Sequence, residues 1–128
     1  VITVRTPEDK LFNYTECAEL YNECKDKLRD DNFENVVKKS LFYAFYITST
    51  SELIGCIYYY KRNGKTFVNA FANRNHHDIN LECFKESLKW FDEDIYAEAT
   101  EKTSRLCVLR CGFKRIKDNL FIYRSKDI

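Results

Sequence analysis

Five consecutive residues, Arg74-Asn75-His76-His77-Asp78, gather a guanidinium, two imidazoles and a carboxylate into one polar stretch. Imidazoles and carboxylates can move protons or hold a metal, and a guanidinium can hold a phosphate. Two adjacent histidines point in different directions, so His76 and His77 do not make a metal site by themselves. Cys107 and Cys111 stand one helical turn apart, but the sequence offers them no identifiable ligand partner. None of the six cysteines, at 17, 24, 56, 83, 107 and 111, forms a Cys-x-x-Cys pair. No metal is therefore expected. Asp78 precedes an apolar-periodic run and reads first as a helix N-cap. Charge is also segregated. Asp92, Glu93, Asp94, Glu98 and Glu101 are followed by Lys102, Arg105, Arg110, Lys114, Arg115 and Lys117. A solvated helix face accounts for this most simply; the sharper alternative is an anion site for phosphates or an acidic partner.

Elements must hold these groups in place. The 128 residues suit a single domain (1–128) that buries a core without staples. Hydrophobic residues make up 45% and aromatics 16%, which argues against disorder, while 3 glycines and 1 proline imply long elements and short loops. A formal net charge of +1 gives no global field for nucleic acid, so that partner is not expected. No apolar run approaches the roughly 18 residues a membrane helix needs, and no signal peptide is read. Thiols on apolar faces fit a reducing, cytoplasmic setting.

The pattern predicts a strand at 2–4. A helix follows, started by Thr6-Pro7-Glu8-Asp9 and carrying Leu11, Tyr14, Cys17, Tyr21, Cys24 and Leu28 on one stripe. Asp30-Asp31-Asn32 breaks it, and Asp31 or Asn32 caps a second helix at 33–39. Strands at 41–48, 53–61 and 66–71 form an antiparallel meander, with Asn63-Gly64 as a two-residue hairpin turn and Gly55 at a bulge or close approach. A helix at 79–91, a strand at 94–99, a helix at 102–111 and a final strand pair complete the chain. A crossover through helix 79–91 places strand 94–99 parallel to strand 66–71. The result is an α/β fold with a central mixed sheet and about four helices on its two faces.

Two runs, Leu53-Ile54-Gly55-Cys56-Ile57 and the ending through Cys111-Gly112-Phe113, together with the opening Ile2-Thr3-Val4-Arg5-Thr6-Pro7-Glu8-Asp9, resemble the GNAT (GCN5-related N-acetyltransferase) superfamily over essentially the whole chain. The resemblance implies a gap between strand 66–71 and strand 94–99 that takes the pantetheine of acetyl-CoA. It implies pyrophosphate binding at the next helix, on an Arg/Gln-x-x-Gly-x-Gly/Ala turn. The cofactor positions it indicates are Asn69, Ala70, Phe71, Ala72, Arg74, Asn75, His76, His77, Ile79 and Asn80. Asp78 and Asn80 fall where the family has small residues, and side chains there are expected to crowd the phosphates. The family's proton-donating Tyr falls at Val108. Glu98, His76 and His77 are the candidates for a general base.

These departures point to a degenerate member without catalysis, a binding or structural component of a larger assembly with a protein partner and no cofactor. The small GNAT-like proteins in particles of short-tailed phages are similar in size and pattern. The alternative is an active acetyl-CoA-dependent N-acetyltransferase acting on an amine.

Overall fold

The computed structural model describes residues 1–25, 28 and 32–125. Among these, seven strands form one sheet: β1 (Ile2–Arg5), β2 (Leu41–Ile47), β3 (Glu52–Arg62), β4 (Lys65–Ala72), β5 (Ile95–Glu98), β6 (Lys114–Lys117) and β7 (Leu120–Tyr123). The order across the sheet is β1-β2-β3-β4-β5-β7-β6. Four helices, α1 (Tyr14–Cys24), α2 (Phe33–Lys39), α3 (His77–Leu88) and α4 (Lys102–Arg110), complete the architecture. Among the described residues only β4 and β5 pair in parallel, as the crossover requires. This is the expected mixed α/β arrangement.

Alternation along the strands builds two cores. On one face α1 and α2 bury Cys17, Tyr21, Phe33 and Val36 against Phe42, Tyr58 and Phe71. On the other, α3 and α4 bury Phe84, Leu88 and Val108 against Ile57, Val68, Ile95 and Phe121. Edge-on and tilted ring contacts link the aromatic residues of the first core, with Phe33 and Phe42 edge-on at centroids 5.5 Å apart. Tyr58 and Tyr59 are buried on opposite faces and Tyr60 is half-buried, so the Tyr58-Tyr59-Tyr60 run is packing rather than an exposed patch.

The turns follow from residue type. Asn63 (φ 54°) and Gly64 (φ 77°) form the two-residue hairpin between β3 and β4. After α4, Gly112 takes φ 98°. Its N–H donates to Leu109 O, and Phe113 N–H donates to Val108 O at 3.0 Å. That is the Schellman pattern, and it drives Phe113 into the core. The Gly-Phe pair thus fixes how α4 lies on the sheet.

The expected helix start at Thr6 is not where α1 begins. Asp9 does accept from Thr6 N–H at 2.7 Å, but the result is an isolated turn. Asn13 is the cap, its Oδ1 accepting from Glu16 N–H, while its own N–H donates to the Tyr46 hydroxyl on β2. Leu11 is consequently exposed. Asn32 caps α2, as one of the two expected residues; Asp30 and Asp31 lie outside the described residues.

Asp78 is not the cap of α3. The helix starts at His77, with His76 in the cap position, and Asp78 sits inside the first turn. A 3-10 turn at Arg74–His76 precedes it. Asn73 organises that turn by accepting from Asn75 N–H with its side chain and from His76 N–H with its carbonyl. Polar side chains at Asn73 therefore do locally what the sequence pattern assigned to Asp78.

Candidate functional site

β4 and β5 pair only at Thr66–Ile95 and Phe67–Tyr96, then diverge. Asn73 N–H donates to Ile54 O on β3. Alternation in an antiparallel ladder then turns the backbone polar groups of Asn69 and Phe71 toward β3 and those of Ala70 and Ala72 into the gap. The gap opens into a cavity of about 250 Å³. Its walls are β4 (Val68 to Ala72), the start of α3 (His77, Asn80, Leu81, Phe84), the end of β5 (Ala97, Glu98, Ala99) and one face of α4 (Thr103, Ser104, Cys107, Val108).

The expected cofactor positions divide. Asn69, Ala70, Phe71, Ala72, His77 and Asn80 line the cavity. Arg74, Asn75, His76 and Ile79 lie outside it, and Arg74, Asn75 and Ile79 are exposed at the approach to α3. Asn69 partly satisfies the strand edge by itself: its Oδ1 accepts from Ala70 N–H at 2.9 Å and its Nδ2 donates to Leu28 O.

Asn80 does not crowd the approach to α3. It is 6% exposed and packs down onto the sheet at Gly55. A methyl group built on Gly55 would lie 2.5 Å from Asn80 Oδ1 and 2.7 Å from Phe71 O. The glycine is the reason the asparagine fits, a close approach that the sequence flagged at Gly55 without its partner. β3 also bulges beside it, Phe45 facing Gly55 while Tyr46 faces Leu53. Asp78 remains exposed in the first turn of α3. A carboxylate there opposes an anion at the positive helix end.

The three base candidates differ in position. Glu98 lines the cavity at the end of β5, and its Oε1 accepts from Arg62 Nη1 at 2.9 Å. Arg62 in turn lies over the Phe67 ring at 4.1 Å. The pair is about half exposed and stands at the rim. His77 also lines the cavity. His76 turns away: its Nε2 sits 2.9 Å from Glu52 Oε2.

Val108 is buried against the cavity, so the residue at the expected acid position is apolar. Its neighbours carry protons. Thr103, Ser104 and Cys107 share the cavity face of α4, and burial raises the Cys107 thiol above its usual pKa, keeping it protonated near neutrality. Thr103 and Ser104 were not singled out from the sequence and Cys107 only as a possible metal ligand, although Ser104 stands three residues before Cys107 and four before Val108, a spacing that places them on one helix face.

The basic segment is partly consumed by the fold. Arg105 donates to Ala99 O and Asn119 Oδ1, and Arg115 donates to Asp118 O. Among the described residues no three His, Cys, Asp or Glu side chains converge as metal ligands, and all six cysteines are free thiols. No helix among them is long and apolar enough to cross a membrane.

No protein-family model and no curated protein matches the chain. Solved structures do. An acetyltransferase of the GNAT family from Bacillus anthracis is 13% identical, with a TM-score of 0.72 over 98% of this chain and 96% of that one. The ribosomal-protein-S5-alanine acetyltransferase from Vibrio fischeri is 11% identical, with a TM-score of 0.69 over 98% and 94%. N-acetylglutamate synthase from Neisseria gonorrhoeae, solved with coenzyme A and N-acetyl-glutamate, is 11% identical, with a TM-score of 0.69 over 98% of this chain and 35% of that one.

Proposed function

From a chain with the fold of the GNAT acetyltransferases, we infer that the β4–β5 cleft is an acyl-thioester site and that the domain is of the N-acyltransferase type. One observation carries this reading: the two central strands part after two paired positions and leave a lined cavity of about 250 Å³ between them. A core sheet ordinarily closes such a gap, because backbone polar groups left between strands are costly when buried. A gap edged by Ala70 and Ala72 suits an extended chain bearing amides, which can pair with that edge as a strand would. Pantetheine is such a chain.

Acetyl-CoA would supply an activated acyl group to an amine. Glu98 stands at the rim, where it can accept a proton from an incoming ammonium group, directly or through water. Arg62 holds its carboxylate in place. On the opposite wall Cys107 and Ser104 are proton-bearing groups that line the cavity with Val108. A well-placed acid contributes about 10² to 10⁴ in rate, so turnover with these stand-ins should be slow.

A second reading, a non-catalytic binding or structural component of an assembly, is favoured by Val108 and by the exposed carboxylate of Asp78. The discriminating experiment follows thiol release after mixing the chain with acetyl-CoA and a panel of amines. Release dependent on the amine supports transfer. A chain that shows neither binding nor release sinks the acyl-thioester reading and supports the second.

A further inference from the structure

Resting on the acyl-thioester reading, we propose that Asn80 is a specificity-determining residue of the cleft, presenting an amide oxygen to an N–H of a pantetheine-type chain. Asn80 is the fourth residue of α3, 6% exposed, and lines the cavity. Its Oδ1 is buried without a hydrogen-bond partner. Buried polar atoms are almost always satisfied, so an orphaned oxygen on the sheet side, beside Phe71 O, says that the amide is set the other way round.

The surroundings say which way the amide can turn. Oδ1 and Phe71 O crowd the same point above Gly55. Two acceptors facing one spot repel. Rotating the amide by half a turn exchanges its ends, an assignment that hydrogen bonding alone decides. Nδ2 then donates toward Phe71 O, and Oδ1 faces the cavity as an acceptor. The matching ligand group is a donor, an N–H or O–H, set beside the β4 edge. Phosphate at neutral pH is chiefly an acceptor and does not fit; a secondary amide does. Gly55 is the second half of the device, because any side chain there would expel Asn80 from its seat.

The test is calorimetry on the full chain with three probes: coenzyme A, pantetheine, and an ester analogue of pantetheine with each amide N–H replaced by oxygen. The native chain should prefer pantetheine over the ester about tenfold or more, since the ester loses the donor to Asn80 and any donor to the β4 edge. Asn80→Ala should weaken pantetheine about tenfold and shrink that preference about tenfold. Alanine suits a helix and fits the space, and circular dichroism checks that the variant folds. A native chain that binds pantetheine and the ester equally overturns the proposal without any variant. If Asn80→Ala binds pantetheine as tightly or more tightly, or keeps the native preference, the side chain does not read the ligand and the proposal is wrong. If the native chain binds neither pantetheine nor coenzyme A, the acyl-thioester reading itself fails and the role of Asn80 falls with it.

Discussion

Gly55→Ala tests the packing on which the cleft depends. The added methyl would lie 2.5 Å from Asn80 Oδ1, 2.8 Å from Asn80 Cγ and 2.7 Å from Phe71 O. Real side chains do not approach so closely, so something must move. The Phe71 carbonyl belongs to the β3–β4 ladder and cannot give without distorting paired backbone. Asn80 is seated in the first turns of α3 and can leave only by exposing its amide to the cavity. Overpacking of this kind costs about 1–3 kcal/mol. Loss of chain entropy in the unfolded state returns about 0.4–1 kcal/mol. A net destabilisation of about 1.3 kcal/mol is expected. At about 4 °C per kcal/mol for a domain of this size, the melting temperature should fall by about 5 °C. Urea unfolding of the native chain, Gly55→Ala, Asn80→Ala and the double variant supplies the coupling. The double variant should recover part of the loss, since the side-chain clash is gone, but not all, since the carbonyl remains. A Gly55→Ala midpoint equal to or above native would refute the reasoning, as would full recovery in the double variant.

Burial pushes the thiols of Cys83 and Cys111 up to about 11 from an ordinary 9.0. Their folded forms therefore hold protons that the unfolded chain releases. The stability they contribute is present below pH 9 and lost as pH rises through about 11, about 2 kcal/mol apiece. Urea midpoints should decline across that window, and Cys83→Ala should flatten the slope; an unchanged slope would contradict the burial argument. Asp78→Arg reverses a charge in the first turn of α3 and should tighten acetyl-CoA about tenfold at low salt, with the gain shrinking as salt rises; titrations at two ionic strengths check both. Glu98→Gln removes the base at the rim and should slow amine-dependent thiol release by about 10² or more, while the unfolding midpoint moves by under about 1 kcal/mol because the Arg62 pair is half exposed.

What could be read from the sequence was what nearby residues decide. The Asn63-Gly64 hairpin needs two positive φ values, and few residue pairs supply them. Gly112-Phe113 encodes a Schellman cap whose hydrogen bonds close within six residues. The β4–β5 crossover follows from a helix between two strands. What failed depended on distant contacts. The Thr6-Asp9 bond forms as its pattern indicates, yet Tyr46, 33 residues beyond Asn13, pins the chain and moves the helix start to Asn13. Asn73 captures two N–H groups and makes a 3-10 turn before α3, so the helix begins ahead of Asp78. Asn80 read as an obstruction, because its position in the turn could be counted but its direction could not. Only the placement of Gly55 beneath it shows that the side chain goes into the sheet. Thr103 and Ser104 were silent for a similar reason, and Cys107 stood out only as a possible metal ligand: hydroxyls and thiols carry no pattern until the cavity they face is known.

The central claim is that the gap between β4 and β5 receives an acyl-thioester ligand. Thermal unfolding of the full chain with and without millimolar acetyl-CoA tests it most directly. A ligand at a hundred times its dissociation constant stabilises the folded state by about 2.7 kcal/mol, which for this domain is a rise of about 10 °C. A rise of that order that saturates with concentration is the predicted result. A melting temperature unmoved by millimolar acetyl-CoA would contradict the account.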